Sequence, residues 1–245
     1  MNQKSKKHKR LLFYGLHAVN AALENPKRQK RTLFATSEAY DRLSPAREGV
    51  PFHQMIKRDL DSLVERHAIH QGVVLEVSPL PEPTIEDIFA CDTKRPIMIL
   101  DQVTDPQNLG AVLRSCAAFN ATALITQDRN TPRESGALAK AASGALECLP
   151  WIRVVNIARA LDRIAAAGYW RIGLSGDGSE KLESLIDGTP LCLVMGAEGV
   201  GLRSNVASHC DHLARIAISD RIESLNVSTA AAIALYLAST SLIHD

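Results

Sequence analysis

The hydrophobic positions of the chain fall into short apolar runs separated by segments with helical spacing, and this alternation predicts an α/β protein. Leu191–Met195 is apolar throughout and stops at the glycine-rich turn Gly196-Ala197-Glu198-Gly199-Val200-Gly201. Such a run suits a strand buried on both faces, as in a parallel sheet. Ile97–Leu100, Thr122–Ile125, Ile152–Val155, Trp170–Leu174 and Ala214–Ile218 read as further strands. Between them, Leu109–Phe119, Ser135–Ala142 and Ile157–Ala167, the last closed by Gly168, have the spacing of helices. With Asn226 or Ser228 as N-cap, Thr229–Leu242 is rich in Ala, Leu and Ile and holds no Gly or Pro, which predicts a helix packed into a core. The strands at Leu191 and Ala214 deliver Gly196–Gly201 and Ser219–Ser224 to one edge, where open α/β sheets bind ligands. A mainly parallel sheet covered on both faces is therefore expected over residues 96–245.

The first part of the chain has its own pattern. Leu11–Tyr14 leads through Gly15 into an amphipathic helix, His17–Leu23, which ends at Asn25-Pro26. Thr32–Ala35 reads as a strand, Ser37–Leu43 and Leu60–His67 have helical spacing, and Val73–Val77 is a β-branched strand. These elements make a small N-terminal α/β domain of residues 11–78, preceded by a basic tail, 1–10. Pro79, Pro81 and Pro83 mark 79–95 as a linker, because proline cannot pair continuously in a sheet interior. A chain of 245 residues accommodates one large or two modest domains.

Net charge is only +1, so nucleic-acid binding cannot be argued from the total, whereas the distribution is suggestive. Lys4, Lys6, Lys7, Lys9 and Arg10 crowd the start, and Lys27, Arg28, Lys30 and Arg31 form a second run. Each run is either a solvated segment or part of a phosphate-facing surface. Cys91, Cys116, Cys148, Cys192 and Cys210 are odd in number and contain no C-x-x-C pair, so reduced thiols, no zinc site and a cytosolic setting are expected. No apolar run reaches membrane-spanning length, and the charged start lacks a signal-peptide core, which also predicts a cytoplasmic protein.

Three segments carry candidate chemistry. Gly196–Gly201 is not a P-loop, since Leu202-Arg203 follows it instead of Lys-Ser/Thr, and its glycine spacing is not that of a dinucleotide fingerprint. Taken alone, it is a sharp bend or a ligand loop with equal justification. Glu198 would repel a phosphate, so a ligand there should be neutral or cationic, such as a sulfonium-bearing nucleoside. Arg114, six residues past Asn108, is either a surface arginine on an amphipathic helix, the commoner case, or a functional one, since it lies beside the apolar stripe, where an arginine seldom lacks a partner. Ser224-Leu225-Asn226-Val227-Ser228 holds more polar side chains than a turn and a helix cap require.

Together these segments resemble the SpoU (TrmH) family of RNA 2′-O-ribose methyltransferases. Asp101-Gln102-Val103-Thr104-Asp105-Pro106-Gln107-Asn108-Leu109-Gly110-Ala111-Val112-Leu113-Arg114-Ser115 is similar to the family's first signature, Val194–Leu202 to its second and Ser224–Ser228 with the following helix to its third. Tyr14-Gly15-Leu16-His17-Ala18-Val19 and His70-Gln71-Gly72 resemble the N-terminal substrate-binding domain of the members that modify 23S rRNA. The chain departs from the family pattern at Ile216-Ala217-Ile218, where Ile-Pro-Met is common, and at Ser219-Asp220-Arg221-Ile222-Glu223, where a glycine and small residues are usual.

The resemblance implies S-adenosyl-L-methionine as cofactor, a C-terminal domain with a trefoil knot, a homodimer and structured RNA, 23S rRNA first, as substrate, with guanosine as the nucleoside. It implies no metal. It places Asn108, Arg114, Glu198, Ser224 and Asn226 in the catalytic site. Arg114 contacts RNA phosphate and hydroxyl, Asn108 orients Arg114 or the ribose, and Glu198 holds Arg114 or Asn226. It assigns the cofactor to Ser175, Gly176, Met195, Gly196, Ala197, Gly199, Ile216, Ile218, Ser224, Leu225 and Asn226. A tRNA ribose methyltransferase and an RNA-binding ribosome-assembly factor of weak activity are the alternatives.

Overall fold

The structure, a computed structural model, describes residues 10–89 and 95–240. Lys4, Lys6, Lys7, Lys9, Cys91 and Leu242 lie outside the described residues. The described chain divides into two compact units, one within Met1–Leu80 together with Glu134–Lys140, the other within Pro81–Arg133 together with Ala141–Asp245.

The first unit contains β1 (Leu11–Tyr14), α1 (Leu16–Glu24), β2 (Lys30–Ala35), α2 (Ser37–Asp41), β3 (Phe52–Gln54), α3 (Lys57–Asp61) and β4 (Val73–Val77). Its sheet has the order β1-β4-β2-β3, antiparallel except for β2 against β3. β4 is central and nearly all buried because both faces are covered. α1 packs on β1 and β4, while Tyr14, Val74 and Leu60 gather Leu63, Val64 and Ala68 on the other face.

That second cluster explains a difference from the sequence. The apolar spacing of Leu60–His67 predicts a helix, but the helix is α3, which ends at Asp61. Ser62 caps it, its Oγ donating to the Asp59 carbonyl at 2.6 Å, and His67 takes a left-handed φ of 70°. Leu63 and Val64 pack on the sheet from an irregular segment.

The second basic run is also used differently from the phosphate-facing reading. Arg28 is buried, 1% exposed, and its guanidinium lies 4.9 Å from the Phe13 ring centroid. It donates to the Ser78 carbonyl at 2.9 Å and to Glu134 Oε1 at 2.6 Å. Lys30 donates to the Asn25 carbonyl and Arg31 to Ser78 Oγ. Arg28 is structural: a buried guanidinium persists because its hydrogen bonds are met.

Tyr14–Val19 and His70–Gly72 come together here. Leu16 N donates to Gln71 Oε1 at 3.2 Å, and the same oxygen accepts from Lys140 Nζ at 2.5 Å. His70 is 2% exposed; its Nδ1 accepts from Gly72 N, so Nε2 carries the proton and faces Asp61 Oδ1 at 2.9 Å.

The second unit contains α4 (Ile85–Phe89), β5 (Ile97–Leu100), α5 (Pro106–Ala118), β6 (Ala123–Gln127), α6 (Gly136–Ala142, shared between the units), α7 (Ala145–Cys148), β7 (Trp151–Val154) and α8 (Ile157–Ala166). After them come β8 (Trp170–Leu174), β9 (Glu180–Lys181), β10 (Leu191–Met195), α9 (Ser204–Ala207), β11 (His212–Arg215) and α10 (Val227–Thr240). Seven strands form one parallel sheet of order β7-β6-β5-β10-β8-β11-β9. β5 and β10, side by side, are buried at every residue, as their uniformly apolar sequences require.

Side chains alternate across these strands. Ile97, Ile99, Cys192 and Val194 join Ile157, Leu161 and Ile164 of α8 in one core cluster. α10 packs on β10 and α5, and α5 on β6. The stretch read as a linker contributes α4, whose Ile85 and Ile88 are buried in the α8-side cluster. Burial pushes the thiols of Cys116 and Cys192 well up and that of Cys210 to about 11, which keeps all three protonated and unreactive near neutral pH.

Candidate active site

The three signature segments all lie at the C-terminal edge of the parallel sheet, and each is shaped by local chemistry. β5 ends at Leu100, and Asp101 follows it, 1% exposed. The helical spacing begins at Leu109, but the chain turns into α5 already at Pro106. Asp105 is the N-cap, accepting from Gln107 N and Asn108 N, and a proline fits the first turn because it needs no N–H there. Asn108 is therefore a first-turn residue rather than a loop residue.

The second segment doubles back on itself. Gly201 N donates to the Ala197 carbonyl at 2.8 Å, and Ala197 and Gly201 form an antiparallel bridge. A Cβ on Gly196 would lie 2.0 Å from the Gly201 carbonyl carbon and oxygen, so no other residue fits at the point where the loop crosses itself. Gly201 turns the chain with a φ of 70°.

β11 ends at Arg215, so Ile216–Ile218, expected to continue the strand, is irregular. The turn 175–178 lies against this end. Ser175 N donates to the Ala214 carbonyl at 2.9 Å, Gly178 comes close enough that a Cβ would meet Ala214 at 2.4 Å, and Arg215 donates to the carbonyls of Gly178 and Ser179. Ser175 and Gly176 thereby border the residues that lead to Ile216. Ser219–Ser224 is exposed throughout.

Asn226 begins α10. Its Oδ1 accepts from Ser228 N at 2.9 Å and Ser228 Oγ at 2.6 Å, which fixes the amide so that Nδ2 points elsewhere. That Nδ2 donates to Asn108 Oδ1 at 3.1 Å, joining the first and third segments across 118 positions. Among the described residues, Asn108 Nδ2 donates to no partner.

The remaining sequence-derived residues are not drawn into this network. Arg114, Glu198 and Ser224 are exposed, and among the described residues none makes a hydrogen bond or ion pair. The contact of Glu198 with Arg114 or Asn226 is thus absent from the described geometry. Arg114 sits on the exposed side of α5, opposite the buried Leu109, Val112, Leu113 and Cys116, about 9 Å of helix rise beyond Asn108. Met195 is buried, Gly196, Ala197, Ile216 and Leu225 are half-buried, and Gly199 and Ile218 are exposed.

One interaction escaped the sequence reading. The Asp101 carboxylate is held by the Arg203 fork, with Nε at 3.0 and 2.9 Å from its two oxygens and Nη2 at 2.6 Å from Oδ1, and this pairing raises the Arg203 pKa further. Nη2 also reaches Gln127 Oε1 at 3.2 Å. The available signal was an acid directly after an apolar strand and a base two residues after a glycine turn. Among the described residues, no cluster of His, Cys, Asp or Glu is placed to hold a metal ion, and no helix is long and apolar enough to cross a membrane.

Comparison with known proteins bears on this edge. Residues 95–236 match the SpoU rRNA Methylase family, and residues 12–83 match the model for RNA 2'-O ribose methyltransferase substrate binding. The chain is 37% identical over 234 residues to the 23S rRNA (guanosine-2'-O-)-methyltransferase RlmB of Pseudomonas putida, covering 91% of this chain and 94% of that one. Its fold is similar to the SpoU methyltransferase AviRb from Streptomyces viridochromogenes in complex with AdoMet, with a TM-score of 0.79, 26% identity, and coverage of 96% of this chain and 91% of that chain. An AdoMet-bound rRNA methyltransferase from Sinorhizobium meliloti gives a TM-score of 0.80 at 25% identity, covering 96% of this chain and 88% of the other.

Proposed function

This chain belongs to the SpoU rRNA methylase family, and from that premise we propose that it methylates a ribose 2′-hydroxyl of 23S rRNA, at a guanosine, using S-adenosyl-L-methionine. The observation that supports this most directly is the Asn226–Asn108 hydrogen bond, which unites two signature segments at the sheet edge where the third also ends.

The loops fit the cofactor. The self-crossing at Gly196 fixes the path of the loop's backbone, and Glu198 adds a negative charge suited to a sulfonium. Met195, Gly196, Ala197 and Gly199 would hold it from one side, Ser175 and Gly176 from a second, and Ile216, Ile218, Ser224, Leu225 and Asn226 from the third. S-Adenosylmethionine supplies an activated methyl group on a positive sulfur. Bound there, it would transfer that methyl to the ribose oxygen with the bonding pair kept by sulfur, and the hydroxyl proton would pass to solvent.

The chain's own residues govern alignment and charge. Asn108 Nδ2, a donor without a partner among the described residues, orients the ribose. Arg114 stays protonated and lowers the cost of charge developing on the 2′-oxygen, so its role is electrostatic rather than that of a base. Because it has no partner among the described residues, the guanidinium is available to RNA. Homodimerisation and the trefoil knot are part of the proposal. The exposed Tyr236 on α10, a helix without charged residues, supports a second copy there. Residues 11–78 with the Glu134–Lys140 segment would recruit the RNA, and the cytoplasm is the expected setting for a substrate of this kind.

Ribose-methylation mapping of total rRNA and tRNA from a strain lacking the protein tests this reading. One 23S guanosine should lose its mark and regain it when the chain is supplied again; an unchanged rRNA map with a lost tRNA mark defeats the rRNA assignment. Gly196→Ala should weaken S-adenosylmethionine binding by about tenfold or more, since even modest overpacking costs about 1–3 kcal/mol and here the clash is with backbone. Calorimetry reads that loss, with circular dichroism confirming that the sheet is retained.

A further inference from the structure

We propose that Asp101 and Arg203 form a pin that holds both ends of the Gly196–Gly201 loop, making them positioning residues for cofactor binding. This rests on the reading above that the loop holds S-adenosylmethionine. The loop leaves the sheet after Met195, and Asp101 N donates to the Met195 carbonyl at 2.7 Å, extending the β5–β10 pairing by one residue. The loop ends before Arg203, whose backbone N lies 3.4 Å from Asp101 Oδ2 and whose fork takes both carboxylate oxygens. One residue thus secures the loop's entry through its backbone and its exit through its side chain.

The details favour positioning over general stability. The Asp101 side chain is fully buried, whereas that of Arg203 is 38% exposed, so the arginine closes over the carboxylate from the solvent side. The bidentate geometry fixes direction as well as distance. Without that fork, the Ala197–Gly201 crossing depends on a single backbone hydrogen bond at 2.8 Å, in a segment whose Gly199 and Gly201 have wide conformational freedom. Gln127 at the end of β6 holds the guanidinium from a third strand, so three neighbouring strand ends set the loop's position. Among the described residues, neither Asp101 nor Arg203 hydrogen-bonds Glu198, Ser224 or Asn226, so loss of the pair should act on the glycine loop and leave the Asn108–Asn226 bond in place.

The full-length protein, Arg203→Ala and Arg203→Lys are compared. Arg203→Ala leaves a buried carboxylate unpaired, so Arg203→Lys, which keeps the charge and loses the fork, secures the test if the alanine variant folds poorly. Titration with S-adenosylmethionine should show affinity about ten- to a hundredfold weaker in Arg203→Ala and an intermediate loss in Arg203→Lys, in line with the strength of hydrogen bonds to charged groups. The KM for RNA should stay within about twofold, which a general loss of structure would not allow. Hydrogen exchange without cofactor should be faster at the Gly201 amide in both variants. Unchanged exchange at Gly201, wild-type cofactor affinity in Arg203→Lys, or an RNA KM that rises as far as the cofactor constant each overturns the pin. Failure of the unmodified protein to bind S-adenosylmethionine would instead overturn the cofactor reading, and the exchange measurement would still decide whether the pin orders the loop.

Discussion

Arg114→Ala should lower the methyl-transfer rate by about a hundred- to a thousandfold, the loss of one preorganised donor at a developing oxyanion being worth ~3 kcal/mol. Binding of S-adenosylmethionine should change little, because Arg114 is exposed on α5 and makes no hydrogen bond or ion pair among the described residues, so no cofactor loop depends on it. Thermal stability should also hold, since the side chain packs outside the stripe of Leu109, Val112, Leu113 and Cys116. Single-turnover methylation of an rRNA fragment at saturating cofactor separates these quantities. Arg114→Lys should recover little, because an ammonium keeps the charge without the planar fork. Near-normal turnover in the alanine variant would remove Arg114 from the mechanism.

Arg28→Met should cost about 3–5 kcal/mol of stability in the first unit, the range for removing one partner of a buried ion pair. The Arg28 side chain is fully buried and that of Glu134 is 16% exposed, so the variant leaves a carboxylate with little access to water. It also strips the Ser78 carbonyl of a donor and the Phe13 ring of its cation. Hydrogen exchange at the amides of β1 and β4 should accelerate, and the melting temperature should fall. Glu134→Gln on the Arg28→Met background should recover part of the loss by removing a carboxylate charge that has lost its Arg28 partner. Exchange rates equal to wild type in Arg28→Met would show that the pair is energetically idle.

Local pattern and distant pairing were not equally readable in the sequence. β1, β4, β5, β8 and β10 have the bounds their apolar runs predict, because each run is broken by Gly, Pro or a polar turn, and strand burial needs nothing beyond that. Errors came where a local signal had two meanings. The helical spacing begins at Leu109, but the helix starts at Pro106, since Asp105 caps it and the missing proline N–H suits a first turn. Leu63 and Val64 have helical spacing because they cover a sheet, and Ile216 and Ile218 alternate without pairing. The family resemblance singled out Asn108 and Asn226, and the structure adds their direct bond. Asp101–Arg203 and Arg28–Glu134 span 102 and 106 positions, and no periodicity encodes a contact between charges so far apart. The basic run at Lys27–Arg31 illustrates the same limit: charge clustering shows where cations occur, and only packing shows which of them face inward.

The bond between Asn108 and Asn226 also constrains when the protein can work. A chain still being made cannot complete this site until residue 226 has emerged from the ribosome, long after Asn108 has done so. The loops after β5 and β10 must wait for their last partner, with non-local parallel pairing already slow to form. Partly synthesised chains would therefore be inert toward the RNA of the particle that is making them.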